Sequence, residues 1–300
     1  MINKINFSKF FKIANFTSIL AISISILFLF LKGLNYGVDF KGGTLLEIRV
    51  SDTNIKIQDV RDSLKLVDVG DVTVKQFGKE GDFLVKFEKN SNENDKFISE
   101  LKNKISGKIG SDVNFRRVES VGPKVSSELL KQGMTAIALS LAAMLFYIWI
   151  RFEWQFSLGS IIALFHDVII TLGIFSILSL EVNLSIVAAV LTIVGYSMND
   201  TVVIYDRIRE NLLKYSKINT NEIANISVNE TLSRTVITSL TTLLALGSIF
   251  ILGGEILKGF SFAMILGVII GTYSSIFVAS PVLNYFKVNQ KTLMKEDDLN

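Results

Sequence analysis

Hydrophobic and polar positions alternate along this chain on two scales. Six long stretches carry almost no charge: Ile13–Leu31, Met134–Ile150, Phe156–Leu180, Val182–Tyr205, Thr235–Leu252 and Phe260–Tyr285. As helices, all six are long enough to cross a bilayer. Between the first two lies a region of shorter periods. Thr44–Val50 alternates as a strand, Ile57–Val67 has helical spacing, and Asp71–Phe77 and Asp82–Glu88 alternate as strands around a Gly78–Gly81 turn. Asn94–Ile105 then reads helical and Val113–Val121 as a strand. The order β-α-β-β-α-β predicts a ferredoxin-like α+β domain of about 80 residues. The expected fold is a polytopic α-helical membrane protein with six transmembrane helices and an extracytoplasmic ferredoxin-like domain between spans one and two.

The boundaries follow from the charges. Residues 1–12 form a basic amino terminus, 13–31 the first span, 32–133 the exterior domain and connectors, 134–286 the remaining five spans, and 287–300 a tail. The first run is about 19 residues long and no A-x-A-like site follows, which favours a retained span over a cleaved signal peptide. Loops on one side hold Lys4, Lys9, Lys12, Arg151, Arg207, Arg209, Lys214, Lys217, Arg234, Lys287, Lys291 and Lys295, whereas the opposite short loops hold only Lys258. The positive-inside rule then makes both termini cytoplasmic and the ferredoxin-like domain exterior. Trp149 and Trp154 flank Arg151 as interface anchors.

Composition narrows the function. The mean hydropathy of +0.45 suits a membrane protein, and the absence of cysteine removes thiol nucleophiles and thiolate-bound metals. A net charge of +3, placed in cytoplasmic loops, supports no nucleic-acid partner. Gly195-Tyr196-Ser197-Met198-Asn199 lacks the last glycine of a nucleophile elbow, and neither a P-loop nor a zincin motif occurs. No enzyme, cofactor or metal is expected.

The chemistry lies in polar groups inside the spans. Asn199 and Asp200 occupy the fourth, and a carboxylate at that depth costs several kcal/mol unless it is paired or hydrated. No basic residue shares that depth; Arg207 and Arg234 stand at the inner boundary. In the third span, Asp167 lies about 16 Å along the helix from Phe156. Gly159, Ala163, Asp167 and Thr171 share one face, so Asp167 points into a helix contact, as a clamp or a relay. His166, the only histidine, lies about 100° round the helix, so the two are expected to face different neighbours. It has a structural or a proton-handling role. Ala263, Gly267, Gly271 and Ser275 form a small-residue stripe in the sixth span. Gly42 and Gly43, after Asp39, suit a tight exit from membrane to domain.

GLNYGVDFKGGT, VGPKVSSEL, ALFHDVIITLG, VGYSMNDTVVIYDRIREN and SRTVITSLTTLL occur in this order along nearly the whole chain. Together they resemble the SecF branch of the SecD/SecF family of bacterial protein-export membrane subunits, related to resistance-nodulation-division transporters. The resemblance implies pairing with SecD in a twelve-helix unit of the bacterial inner membrane. It also implies association with the SecYEG channel and YajC, and use of the proton gradient to help draw an exported preprotein outward. It places Asp200 at the proton-conducting carboxylate and Arg234 beside the same path, with Asn199, Asp167 and His166 as further pathway candidates. Asp39, Gly42, Gly43 and Gly195 become hinge or motif positions. A sodium gradient would serve the same carboxylate. A passive scaffold for SecD or the channel, and half of a small-molecule exporter, are the competing readings.

Overall fold

The computed structural model describes residues 5–52, 54–65, 72–76, 78–87, 95–109, 113–215, 218–286 and 288–293. The ends of several expected elements, at 66–67, 71, 77, 88 and 94, lie outside them, as do most of the basic tail and Lys4, Lys217, Lys287 and Lys295. The chain divides into two compact units: Met1–Asn35 with Ala136–Leu180 and Ser185–Asn300, and Tyr36–Thr135 with Glu181–Leu184.

The mixed unit contains β1 (Gly43–Val50), β2 (Val72–Gln76), β3 (Asp82–Phe87) and β4 (Val113–Val121). The helix Ile57–Lys65 follows β1 and Asp95–Ile109 follows β3. The sheet order is β2-β3-β1-β4 with every adjacent pair antiparallel. Strand periodicity decides its faces. Leu46, Ile48, Val50, Phe83, Val85 and Phe87 form one apolar core with Val60, Leu64, Leu101 and Ile105 from the two helices. Leu84 and Lys86 alternate with the core positions of β3, so they stand on the opposite face. Gly42 and Gly43 carry φ of 79° and 118°, a backbone region that a side chain would strain.

In the other unit the long helices are α1 (Phe11–Leu31), α2 (Pro123–Arg151, which begins in the mixed unit), α3 (Trp154–Ile177), α4 (Leu184–Lys214), α5 (Thr220–Leu252) and α6 (Gly254–Ser274). The last continues through a π turn, Ser275–Ala279, into α7 (Ser280–Tyr285). Pro281 has no N–H, and wider turns are a common response to a lost helical bond. Nearby carbonyls are satisfied by side chains: Ser280 donates to Ser275 O at 2.8 Å and Tyr205 to Ala279 O at 3.0 Å.

Among the described residues, six helices are long and apolar enough to cross a membrane. The third, fourth and sixth spans are about half buried, while the first, second and fifth expose most of their residues. Glycines set how closely the buried three approach. A Cβ on Gly159 would collide with the Tyr205 hydroxyl, one on Gly267 with Ile193, and one on Gly271 would lie 2.9 Å from Ser197 Cβ. Three helices far overrun the apolar runs: the second begins at Pro123, before Met134. The fourth continues to Lys214, and the fifth begins at Thr220, well before Thr235. The added first half of α5 buries Ile223, Ala224, Ser227, Val228 and Thr231 at helical spacing. Asn219 starts it by accepting the Glu222 N–H.

Candidate functional site

The α4 helix buries Ile193, Ser197, Asp200, Ile204 and Ile208 along one stripe. Asp200 is 3% exposed, and its Oδ2 has no hydrogen-bond partner. Among the described residues it makes no ion pair. Arg234, exposed on α5, is the charged group whose field reaches it. Thr235, next to Arg234, is also buried with an unpartnered hydroxyl. Arg207, the other cation at the boundary, is taken: its Nε and Nη1 lie 2.7 and 2.6 Å from Glu230 and Glu210. Asn199 is exposed, one position round the helix, and Gly195 is half-buried with Met144 Cε 3.9 Å from where its Cβ would stand. Asp200 therefore sits at the edge of the bundle, between a packed interior and the surface that carries Asn199 and Arg234.

Asp167 is the opposite case. It is fully buried, and its Oδ2 accepts from Ser197 at 2.5 Å and from Ser274 at 2.9 Å. Its Oδ1 lies 2.8 Å from His166 Nδ1, and His166 Nε2 lies 3.2 Å from Ser18 Oγ. With Asp167 ionised, Nδ1–H donates to it and Nε2 accepts from Ser18. The Tyr273 ring stacks on the imidazole at 6.0 Å, and its hydroxyl donates to Ala14 O. One carboxylate thus ties the third, fourth and sixth spans together and reaches the first through His166. His166 and Asp167 bond to each other, while their hydrogen-bond partners on other spans differ: Ser18 for His166, Ser197 and Ser274 for Asp167. The angle between Cβ directions does not limit a ring that turns back toward the next residue's carboxylate.

Sequence reading missed Ser197, Ser274, Ser18 and Tyr273 as partners in this cluster. The signal available was a hydroxyl within each of the first, fourth and sixth apolar runs. Among the described residues, no group of histidine and carboxylate side chains has the arrangement of a metal site.

Asp39, Gly42 and Gly43 lie in the mixed unit. Asp39 Oδ2 accepts the N–H of Leu184, the first residue of α4, at 2.9 Å. A Cβ on Gly42 would come within 3.3 Å of Val121 O and 3.4 Å of Ser126 Oγ.

Comparison with known proteins bears on what this arrangement serves. Residues 101–289 match the family described as "Protein export membrane protein SecD/SecF, C-terminal", and residues 27–53 match the SecD/SecF GG motif. The chain belongs to the SecD/SecF family. The GG-motif match contains Asp39, Gly42 and Gly43, and the C-terminal SecD/SecF match contains Asp167, Asp200 and Arg234.

Two curated SecD/SecF relatives illustrate the likeness. A protein named Protein translocase subunit SecF from Rickettsia rickettsii is 45% identical over 292 residues, covering 96% of this chain and 94% of the relative. The protein of the same name from Rickettsia bellii (strain OSU 85-389) is 45% identical over 287 residues, covering 95% and 94%. A crystal structure of SecDF, described as a translocon-associated membrane protein, from Thermus thermophilus superposes with a TM-score of 0.86 at 35% identity over 95% of this chain. A structure titled SecDF in Super-membrane-facing form superposes at 0.70, also at 35% identity, over 96% of this chain. The chain spans 39% of the length of each of these SecDF chains.

Proposed function

We propose that this membrane protein does the work of a SecF subunit: with a SecD partner, it uses an ion gradient to assist late steps of protein export. The observation that carries this is Asp200, a buried carboxylate whose Oδ2 has no protein partner on a half-buried span. Such a group is expensive as architecture and useful as an ion-binding site. Moving one elementary charge across the membrane yields roughly 2.3 kcal/mol per 100 mV. That is enough to bias two packings of tightly apposed helices.

In this reading Asp200 binds and releases the ion, Arg234 compensates its charged form, and Asn199 lies on the surface that a SecD helix covers. Asp167 and His166, with their hydrogen bonds made, hold the third and sixth spans to α4 at Ser197, leaving Asp200, three residues on, as the group that responds to the ion. Gly42 and Gly43 serve as the flexible exit into the mixed unit. The order and pairing of that unit's strands support assigning it as a ferredoxin-like domain on the exterior face, and the distribution of Lys and Arg supports cytoplasmic termini in a bacterial inner membrane. The SecYEG channel, YajC and an emerging preprotein complete the assembly on this reading.

The test is export by vesicles reconstituted with this chain, its SecD partner and the channel, under separately imposed proton and sodium gradients. Stimulation by one gradient supports ion coupling and names the ion. Equal export with and without both gradients supports the passive scaffold.

A further inference from the structure

The short segment Glu181–Leu184, a two-residue strand leading into α4, belongs to the mixed unit. It is held there at three points. Gly37 N–H donates to Val182 O at 2.8 Å. Leu184 N–H donates to Asp39 Oδ2 at 2.9 Å. Glu181 pairs with Lys86 on β3, with side chains 25% and 20% exposed. The first turn of a helix leaves N–H groups without partners, and a carboxylate there satisfies one and favours the positive end of the dipole. Asp39 performs that task for the helix that carries Asp200, from a position 145 residues earlier in the chain.

Gly37 shows how closely this segment is seated. Its φ of −76° is open to any residue, so backbone strain does not require glycine. Space does: a Cβ there would lie 2.5 Å from Glu181 Oε1. An alanine would displace the carboxylate from Lys86 without disturbing the local backbone.

We propose that Asp39, Glu181 and Lys86 form a latch that fixes the amino end of the Asp200-bearing helix to the sheet of the mixed unit, so that movement of one is transmitted to the other. These are positioning residues, and the inference rests on the reading of Asp200 as the coupling site. It adds the connection by which an event at Asp200 reaches the mixed unit through α4 itself.

The charged groups around Lys86 make the latch sensitive to pH. Burial, then Lys75 on the adjacent strand, push its pKa down; Asp39 acts the other way and Lys41 lowers it again, leaving it at about 8. With its pKa at about 8, Lys86 carries its proton at neutral pH and is then the partner of Glu181. As pH on the side of the mixed unit rises through this range, Lys86 loses its proton and Glu181 its partner. An arginine at the same place keeps its charge throughout.

The experiment uses the full chain with its SecD partner in vesicles. It reads hydrogen exchange at the Leu184 amide alongside gradient-dependent export. Lys86→Met removes the partner of Glu181 and leaves the Asp39–Leu184 bond as the remaining anchor. With one charge-assisted contact of the segment lost, the Leu184 amide is expected to exchange about tenfold faster at neutral pH, with gradient-dependent export reduced and gradient-independent export kept. Gly37→Ala should do the same. The exchanged pair, Lys86→Glu with Glu181→Lys, should restore both readouts. Wild type should lose protection on the alkaline side of about 8, and Lys86→Arg should retain it. Unchanged exchange in both Lys86→Met and Gly37→Ala, or a charge-exchanged pair no better than the single variants, overturns the latch. If exchange responds as expected while Asp200→Asn leaves export unaltered, the latch stands as a structural joint and the coupling role of Asp200 fails.

Discussion

Ser197 donates its hydroxyl to Asp167 Oδ2 at 2.5 Å, three residues before Asp200 on the same helix. The two buried carboxylates of the bundle are therefore close along the chain of contacts but opposite in circumstance. Asp167 has three side-chain partners; Asp200 Oδ2 has none.

That contrast predicts opposite effects on stability. Asp167→Ala removes the acceptor shared by His166, Ser197 and Ser274 in the interior and is expected to cost about 3 kcal/mol. Asp200→Asn removes a poorly compensated charge and is expected to leave stability equal or raise it by about 1 kcal/mol. Thermal unfolding in detergent measures both, and equal losses would contradict the distinction.

Two glycines separate packing from motion. Gly267→Ala drives a methyl group into Ile193 and should destabilise the bundle by about 1–3 kcal/mol. Gly195→Ala meets only Met144 Cε at 3.9 Å, so its effect on stability should be within about 1 kcal/mol. Lost gradient-dependent export with unchanged unfolding temperature in Gly195→Ala would mark that position as a hinge.

Acid should weaken the mixed unit through Asp82. Its carboxyl, 4% exposed, receives Arg49 Nε and Nη2, each at 2.5 Å. That hydrogen bonding holds its pKa below the usual carboxylate value, against the opposing effect of burial, and Arg49 and Arg116 add their charges. The folded value lies below the unfolded one, so the stabilisation is fully present above about pH 4 and is lost as pH falls through the lowered value. Unfolding of the mixed unit against pH should show this acid-side loss in wild type and not in Asp82→Asn.

Periodicity made much of the architecture legible. Six apolar runs and a β-α-β-β-α-β alternation come from burial that repeats with the period of each element. The small-residue stripe of the sixth span was also readable, because Gly267 and Gly271 must sit where Ile193 and Ser197 press in. What stayed hidden depends on distant partners. The polar start of α5 gave little span signal, yet Asn225 and Asn229 dock it against the backbone of Phe7, Ser8 and Ile5. The partnership of His166 with Asp167 depends on side-chain torsions that a helical wheel leaves out. Asp39 looked like part of a glycine-rich exit, and nothing local shows that it caps a helix beginning at Leu184. Asp200 was legible as an anomaly because no basic residue lies at its depth in the sequence.

The most direct measurement is gradient-dependent export by vesicles carrying this chain and its SecD partner, with wild type, Asp200→Glu and Asp200→Asn compared at equal assembly. The account predicts that Asp200→Asn loses the gradient-dependent share of export and that Asp200→Glu keeps part of it. Gradient-dependent export by Asp200→Asn equal to that of wild type would contradict it.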